Sequence, residues 1–248
     1  MQPLSIDRRL TKNVSPLTFD LPVTHVYNPL DYALGAHKIY LERYCNLGVD
    51  ALLLGMNPGP WGMVQTGVPF GEVELVRTFL DINSGVEKPK HEHPKRQVDG
   101  FACHRSEVSG KRLWGWAKER FGKPDEFFKR FFVWNYCPLA FMEESGRNRT
   151  PDKLPPAERE ALYVTCSQAL SQIVEFVKPK MVLGVGKFAE KRAREILGDR
   201  VEIGTILHPS PASPIANRGW AEQAEKQLVA LGISLPEERP RPEDQAPR

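Results

Sequence analysis

Four short apolar runs constrain the fold of this chain more than any other feature: "DALLLGMN" (50–57), "RFFVWNYC" (130–137), "PKMVLGVG" (179–186) and "VEIGTILH" (201–208). Each is continuous rather than alternating, and each is bounded by Gly, Pro or charge. That is the pattern of strands buried on both faces of a parallel sheet. Helical patterns lie between and around them. Residues 30–46 place Leu30, Leu34, Ile39 and Leu41 among polar positions, and residues 72–82 repeat apolar groups at Val73, Val76, Phe79 and Leu80. Residues 156–177 open with "PPAERE", a proline start with acids in the first turn. Segments 187–197 and 219–231 complete the set. Strands alternating with helices predict an α/β fold with a mostly parallel sheet. In such sheets ligands gather beyond the carboxyl ends of the strands.

A chain of 248 residues is long enough to bury one substantial core. A single domain is expected over 1–234. The remainder, "LPEERPRPEDQAPR" (235–248), is rich in proline and charge and predicts a mobile tail. A net charge of +3 permits a nucleic-acid partner without requiring one. The four cysteines, Cys45, Cys103, Cys137 and Cys166, are far apart and read as reduced thiols. No run approaches eighteen apolar residues, so no membrane span is expected, and "MQPLSIDRRLTKN" has no apolar stretch of signal-peptide type.

The segments after the strands carry the chemistry. The first strand runs into "GMNPGPWGMVQTGVPFG" (55–71), with five glycines, three prolines and no charge. The second ends in "WNYCPL" and the fourth in "HPSPASPIANRGW". The sheet therefore delivers Asn57, Asn135 and His208 to one cleft. Taken singly, each has a plain structural reading: Asn-Pro starts turns, an Asn caps a strand, and a His before Pro belongs to a loop. Together, two amides and an imidazole suit a neutral heterocycle with fixed donors and acceptors. They do not suit a metal, because no carboxylate or thiolate joins them. The third strand turns into "GVGKFAEK", which lacks the Ser or Thr of a phosphate loop. "HEH" (91–93) with Cys103 and His104 has the residue types of a zinc site, but its Lys- and Pro-rich setting reads as a solvated loop.

The long stretches "GMNPGPWGMVQTGVPFGEV" and "HPSPASPIANRGW", with "WNYCPL" and "SGRNRTP", resemble the single-strand-selective monofunctional uracil-DNA glycosylases of the uracil-DNA glycosylase superfamily. The likeness runs from about residue 20 to 232 and takes in "HPKR" and "SEVSGKR". It implies a three-layer sandwich around a four-stranded, mostly parallel sheet. It implies a DNA glycosylase that flips a base out of the stack, hydrolyses its N-glycosidic bond without a cofactor, and leaves an abasic site for base excision repair. By this resemblance Phe70 stacks on the uracil and Asn135 reads its edge. Asn57 orients the attacking water, and His208 donates to O2 as charge grows on the leaving base. Met56 and Gly59 shape the site around the pyrimidine 5-position, where the family takes uracil and several 5-substituted uracils but disfavours thymine. Segment 208–219 resembles the wedge that enters the duplex, bringing Ser210, Pro211, Ala212, Asn217 and Arg218 to DNA. Vertebrate members carry Arg where this chain has Ala212, and Phe where it has Trp61.

Basic residues Lys88, Lys90, Lys95, Arg96, Lys111, Arg112, Arg147 and Arg149 surround the cleft in sequence. Lys95, Arg96, Arg147 and Arg149 are the expected phosphate contacts. No lysine lies in the strand-end motifs, so an amine-dependent lyase step is not expected; Lys187 is the nearest candidate. The expected partners are single- and double-stranded DNA carrying uracil or modified uracil. The expected state is a monomer, located with the nucleoid in a bacterium or in the nucleus of a eukaryote. Two other readings remain open: a glycosylase for hypoxanthine or xanthine, whose edges Asn135 also suits, and a module that binds damaged bases without cleaving them.

Overall fold

The computed structural model describes residues 2–237. In chain order the elements are α1 (Pro3–Val14), β1 (Val23–Tyr27), α2 (Pro29–Tyr32), α3 (Leu34–Tyr44), β2 (Ala51–Gly55), α4 (Met63–Thr66), α5 (Val73–Thr78), α6 (Val108–Phe121) and α7 (Pro124–Phe128). Next come β3 (Phe131–Asn135), β4 (Ala140–Glu143), β5 (Asn148–Arg149), α8 (Pro156–Val177), β6 (Met181–Val185), α9 (Lys187–Leu197), β7 (Glu202–Ile206), α10 (Pro214–Asn217) and α11 (Trp220–Ala230).

The four apolar runs form one sheet in the order β3-β2-β6-β7, every neighbouring pair parallel. Every residue of β2, β3 and β6 is buried, which is why their sequences show no alternation. The chain leaves β2 for one edge and later returns to β2's other side with β6. That reversal opens the crevice at the carboxyl end of the sheet. One apolar core runs from Ile6 to Ile233. No helix is long and apolar enough to cross a membrane among the described residues.

The expected helices at 156–177 and 187–197 have those bounds, while the pattern at 30–46 breaks at Ala33 into α2 and α3. Two helices near the site have no counterpart in the sequence pattern. In α1 the buried face is Pro3, Ile6, Asp7, Leu10 and Val14. An acid on that face and abundant charge around it dilute the apolar period. In α6, Gly110 and Gly115 weaken the helical signal, since glycine costs about 1 kcal/mol against alanine. A second sheet, antiparallel and ordered β1-β4-β5, is also new. Within the tail expected at 235–248, Leu235 packs on the core and the Pro236 carbonyl accepts from Arg120 Nη1. The rest of it, 238–248, lies outside the described residues.

Candidate active site

Asn135 is the last residue of β3 and lies opposite Gly55, the last of β2. It is buried, and its Nδ2 donates to Met63 Sδ at 3.2 Å. Its Oδ1 has no protein donor. An orphaned buried carbonyl costs free energy unless a ligand satisfies it. Here Oδ1 faces the space a Cβ on Gly55 would fill, a position 2.6 Å from Phe70 Cε2. Gly55 thus lets an amide edge and an aromatic ring converge over bare backbone, and that convergence is the candidate slot. Turning the amide over would set Oδ1 against the Met63 sulfur, where no donor stands. The acceptor is therefore fixed toward the slot.

Phe70 holds φ at +54°, a left-handed conformation rare for a bulky side chain. Such strain persists only where the surroundings over-determine it. Here the Phe70 carbonyl accepts from Glu72 N at 2.8 Å, and Trp114 Nε1 of α6 donates to Pro69 O at 3.2 Å. A Cβ on Gly110 would overlap the Phe70 carbonyl. The glycine that weakens the helical signal of α6 lets that helix press on the strained turn.

His208 lies two residues past β7, with its ring centroid 6.0 Å from that of Phe70. Burial pushes its pKa down to about 4, so the imidazole is neutral at pH 7. It makes no hydrogen bond among the described residues and packs on Gly186, whose φ of +91° places α9 behind it. Asn57, two residues past β2, donates from Nδ2 to Leu139 O at 3.2 Å, which leaves Oδ1 as a directed acceptor. Met56 follows the slot directly, and its carbonyl accepts from Cys137 N. Asn135, Phe70 and His208 are thus neighbours, and Asn57 stands two residues past β2 at the same end of the sheet.

A sequence profile described as the Uracil DNA glycosylase superfamily matches residues 42–229. The chain is 48% identical over 233 residues to the single-strand selective monofunctional uracil-DNA glycosylase of Rattus norvegicus, covering 93% of this chain and 84% of that one. It is 46% identical over 233 residues to the Bos taurus protein of the same name, covering 93% and 86%. The chain belongs to the uracil DNA glycosylase superfamily. At 18% identity, the solved structure of wild-type Pedobacter heparinus SMUG2 shares the fold, with a TM-score of 0.64 over 92% of this chain and 97% of that one.

Several residues that support this superfamily site gave no signal in the sequence. His37 and Asp7 form a buried pair, each 1% exposed, with Nε2–Oδ2 at 2.6 Å. His37 Nδ1 donates to Gly67 O at 2.7 Å, at the end of α4. Since Nδ1 carries a proton, Nε2 and Asp7 share the other. Burial pushes the Asp7 pKa up, against the pull of His37. The pair, with Asn135, Met63 and Trp134, lines a cavity of about 10 Å3, the size of one water. Glu107 precedes α6, and its carboxylate accepts from Trp61 N at 3.3 Å. A Cβ on Gly59 would sit 2.8 Å from Glu107 Cδ. Burial raises the Glu107 pKa.

The expected DNA contacts divide into two groups. Pro211, Ala212 and Arg218 are exposed and Ser210 half-exposed on the loop after β7, and Lys95 and Arg147 are exposed elsewhere. Ile215, in the same loop, is 55% exposed. Two of the expected contacts have their polar groups engaged internally. Asn217 accepts from Arg112 Nη2 at 2.8 Å and donates to Pro211 O at 2.9 Å, bracing the loop from within. Arg149 pairs with Glu143 at 2.9 Å and donates to Lys153 O at 2.6 and 3.0 Å. Arg112, expected only as cleft charge, also donates to the carbonyls of Pro209 and Ser210.

"HEH" is not a solvated loop throughout. His93 is buried; its Nε2 donates to Glu144 O at 3.0 Å, and its Nδ1 accepts from Lys95 N at 3.0 Å. Both ring nitrogens are engaged by backbone. Lys187 is 84% exposed and its Nζ bonds Glu190 at 2.9 Å, away from the cleft.

Proposed function

We propose that this chain is a monofunctional uracil-DNA glycosylase: it takes a flipped uracil into the slot between Asn135 and Phe70 and hydrolyses its N-glycosidic bond. The observation that carries this is the orphaned Asn135 Oδ1, which meets the Phe70 ring over Gly55, where any Cβ would clash with both. That acceptor suits uracil N3–H, and the remaining Nδ2 proton suits O4. Cytosine offers an acceptor at N3, so two acceptors would face each other. A good bidentate contact discriminates by ~1–3 kcal/mol, and a buried unpaired group adds to that.

His208 is neutral at pH 7, so it donates a hydrogen bond to O2 rather than transferring a proton. The base then leaves as an anion stabilised in a dry site. Asn57 cannot remove a proton from water. Its Oδ1 orients one instead, which suffices for a cationic, oxocarbenium-like sugar. Met56 and Gly59 border the pyrimidine 5-position. Ser210, Pro211, Ala212 and Arg218 meet the DNA, and Lys95, Arg96 and Arg147 meet phosphates. Lys187 is paired with Glu190, and no other lysine among the described residues follows a strand of the main sheet directly, so a lyase step is not part of this reading. We extend the substrate to single- and double-stranded DNA, the active form to a monomer, and the location to the nucleoid or nucleus.

The test is alkali cleavage of oligonucleotides carrying uracil, 5-hydroxymethyluracil, hypoxanthine or xanthine, single- and double-stranded, after incubation with the purified chain. Abasic product from uracil is expected. Tight binding to uracil DNA with no product, or product from the purines alone, would overturn the reading.

A further inference from the structure

Two arginine side chains lie over one indole at the lip of the cleft. Arg96 Cζ is 5.1 Å and Arg105 Cζ 4.6 Å from the centroid of the Trp61 ring. Trp61 stands four residues after Asn57, and its backbone N–H is pinned by Glu107. The Arg96 guanidinium is held from a second side as well: a Cβ on Gly146, in the turn between β4 and β5, would sit 3.4 Å from its Cζ. That hairpin also reaches the catalytic loop, through Asn148 Nδ2 to Pro58 O at 3.3 Å.

Neither guanidinium has a carboxylate within ion-pair distance among the described residues. Among the other fourteen described arginines seven have one and seven do not, but no other ring among the described residues carries two cations. Arg96 donates only to the carbonyl of its neighbour Lys95, and its Nε is unpartnered. Arg105 is exposed, and its side chain makes no hydrogen bond among the described residues; only its carbonyl is engaged, by Cys103 Sγ. Bringing two like charges to one ring costs Coulomb energy, only partly offset by the ring quadrupole. An anion removes that cost. Each guanidinium is held near the ring: in Arg96, Nη1 is taken by the Lys95 carbonyl and Nε is buried, which leaves Nη2 for a phosphate, while the Arg105 guanidinium is wholly uncommitted among the described residues.

We propose that Arg96 and Arg105, stacked over Trp61, form a two-cation grip on the DNA backbone phosphates beside the nucleotide being cleaved. This rests on the glycosylase reading, which supplies the polyanion and its place. Exposed Lys95 and Arg147 flank the grip and extend the positive surface. Trp61 and Arg105 thereby join the contact surface, and Arg96 gains a defined geometry within it.

The test is the salt dependence of oligonucleotide binding, read by anisotropy with the full chain and an undamaged single strand. Each phosphate contact contributes about 0.7 to the slope of log affinity against log salt on single strands. Arg105→Ala and Arg96→Ala should each flatten the slope by about that amount, so each variant loses roughly 2–3-fold less affinity than the parent between 50 and 200 mM salt. Trp61→Leu keeps both charges but frees the guanidiniums, and should flatten the slope nearly as far as the double arginine variant. Lys187→Ala, remote and paired, should match the parent. Parental slopes in both arginine variants would overturn the grip. So would a loss of inorganic phosphate binding with oligonucleotide slopes unchanged, which marks a site for free anions. A parent that grips DNA in this way but cleaves no uracil would instead sink the glycosylase reading.

Discussion

Alanine at Gly55 would put a methyl carbon 2.6 Å from Phe70 Cε2 and against Asn135 Oδ1. The slot would close while β2 kept its register. Gly55→Ala should therefore abolish uracil cleavage with a change in melting temperature of only a few degrees; an active variant would mean that the base lies elsewhere. His208 contributes differently. Losing a donor to developing negative charge costs roughly 2.7–4 kcal/mol of barrier, so His208→Ala should slow single-turnover cleavage about 10²–10³-fold while affinity changes far less. Equal losses in both would assign His208 to ground-state binding. Its pKa of about 4 also sets a pH signature. Between pH 6.5 and 4 the unfolded chain holds a proton on this residue that the native chain does not. Native stability thus falls as pH drops through that window, by up to about 3 kcal/mol at the low end. Denaturant titrations should show a shallower decline for His208→Ala. Cleavage between pH 6 and 8 should show no limb from this histidine.

Helices α1 and α3 meet the loop after β2 through a buried pair. Asp7 sits on the inward face of α1, and His37 carries its proton to the Gly67 carbonyl, where α4 ends at a φ of +71°. Removing one member of a buried pair leaves the other uncompensated, at a cost of about 3–5 kcal/mol. Asp7→Ala should lower stability by about that much. Where the protein stays folded at low temperature, uracil discrimination should suffer too, because α4 also carries Met63, the partner of Asn135. Full stability in this variant would show that the pair breaks even with its desolvation. The α6 contact admits no relief of the same kind. Gly110 lies against backbone, so its alanine variant must shift either the helix or Phe70.

Across the whole molecule, binding and chemistry draw on different parts of the surface. The cleft floor holds amides, an imidazole and an aromatic ring without a fixed charge. Five cations with no ion pair among the described residues, Lys95, Arg96, Arg105, Arg147 and Arg218, stand in loops outside the main sheet. Affinity should consequently fall steeply with salt, while the ratio of uracil to thymine cleavage stays constant. Arg149→Ala should leave the salt slope nearly unchanged, because Glu143 already balances that charge. Among the described residues no three His, Cys, Asp or Glu side chains are placed to hold a metal. Activity should persist in EDTA; loss in chelator with recovery on adding a divalent metal would show that a ligand set has been overlooked.

By itself the sequence determined the α/β alternation, the four strands and the delivery of Asn57, Asn135 and His208 to one end of the sheet. Those features are local: a continuous apolar run marks a buried strand, and Gly and Pro mark where it stops. Motif resemblance added the chemistry, because the loops after β2 and β7 are long enough to be specific. Only the tertiary structure decided which side chains are engaged and which are free. Asp7 meets His37 across 30 residues, Glu107 meets Trp61 across 46, and Arg112 meets Asn217 across 105. No periodicity within an element encodes such pairings. The same holds for the charges: "SGRNRTP" shows two arginines alike, yet folding exposes Arg147 and ties Arg149 to Glu143 and Lys153. A side chain's availability to DNA depends on what the fold places beside it, and packing alone sets that.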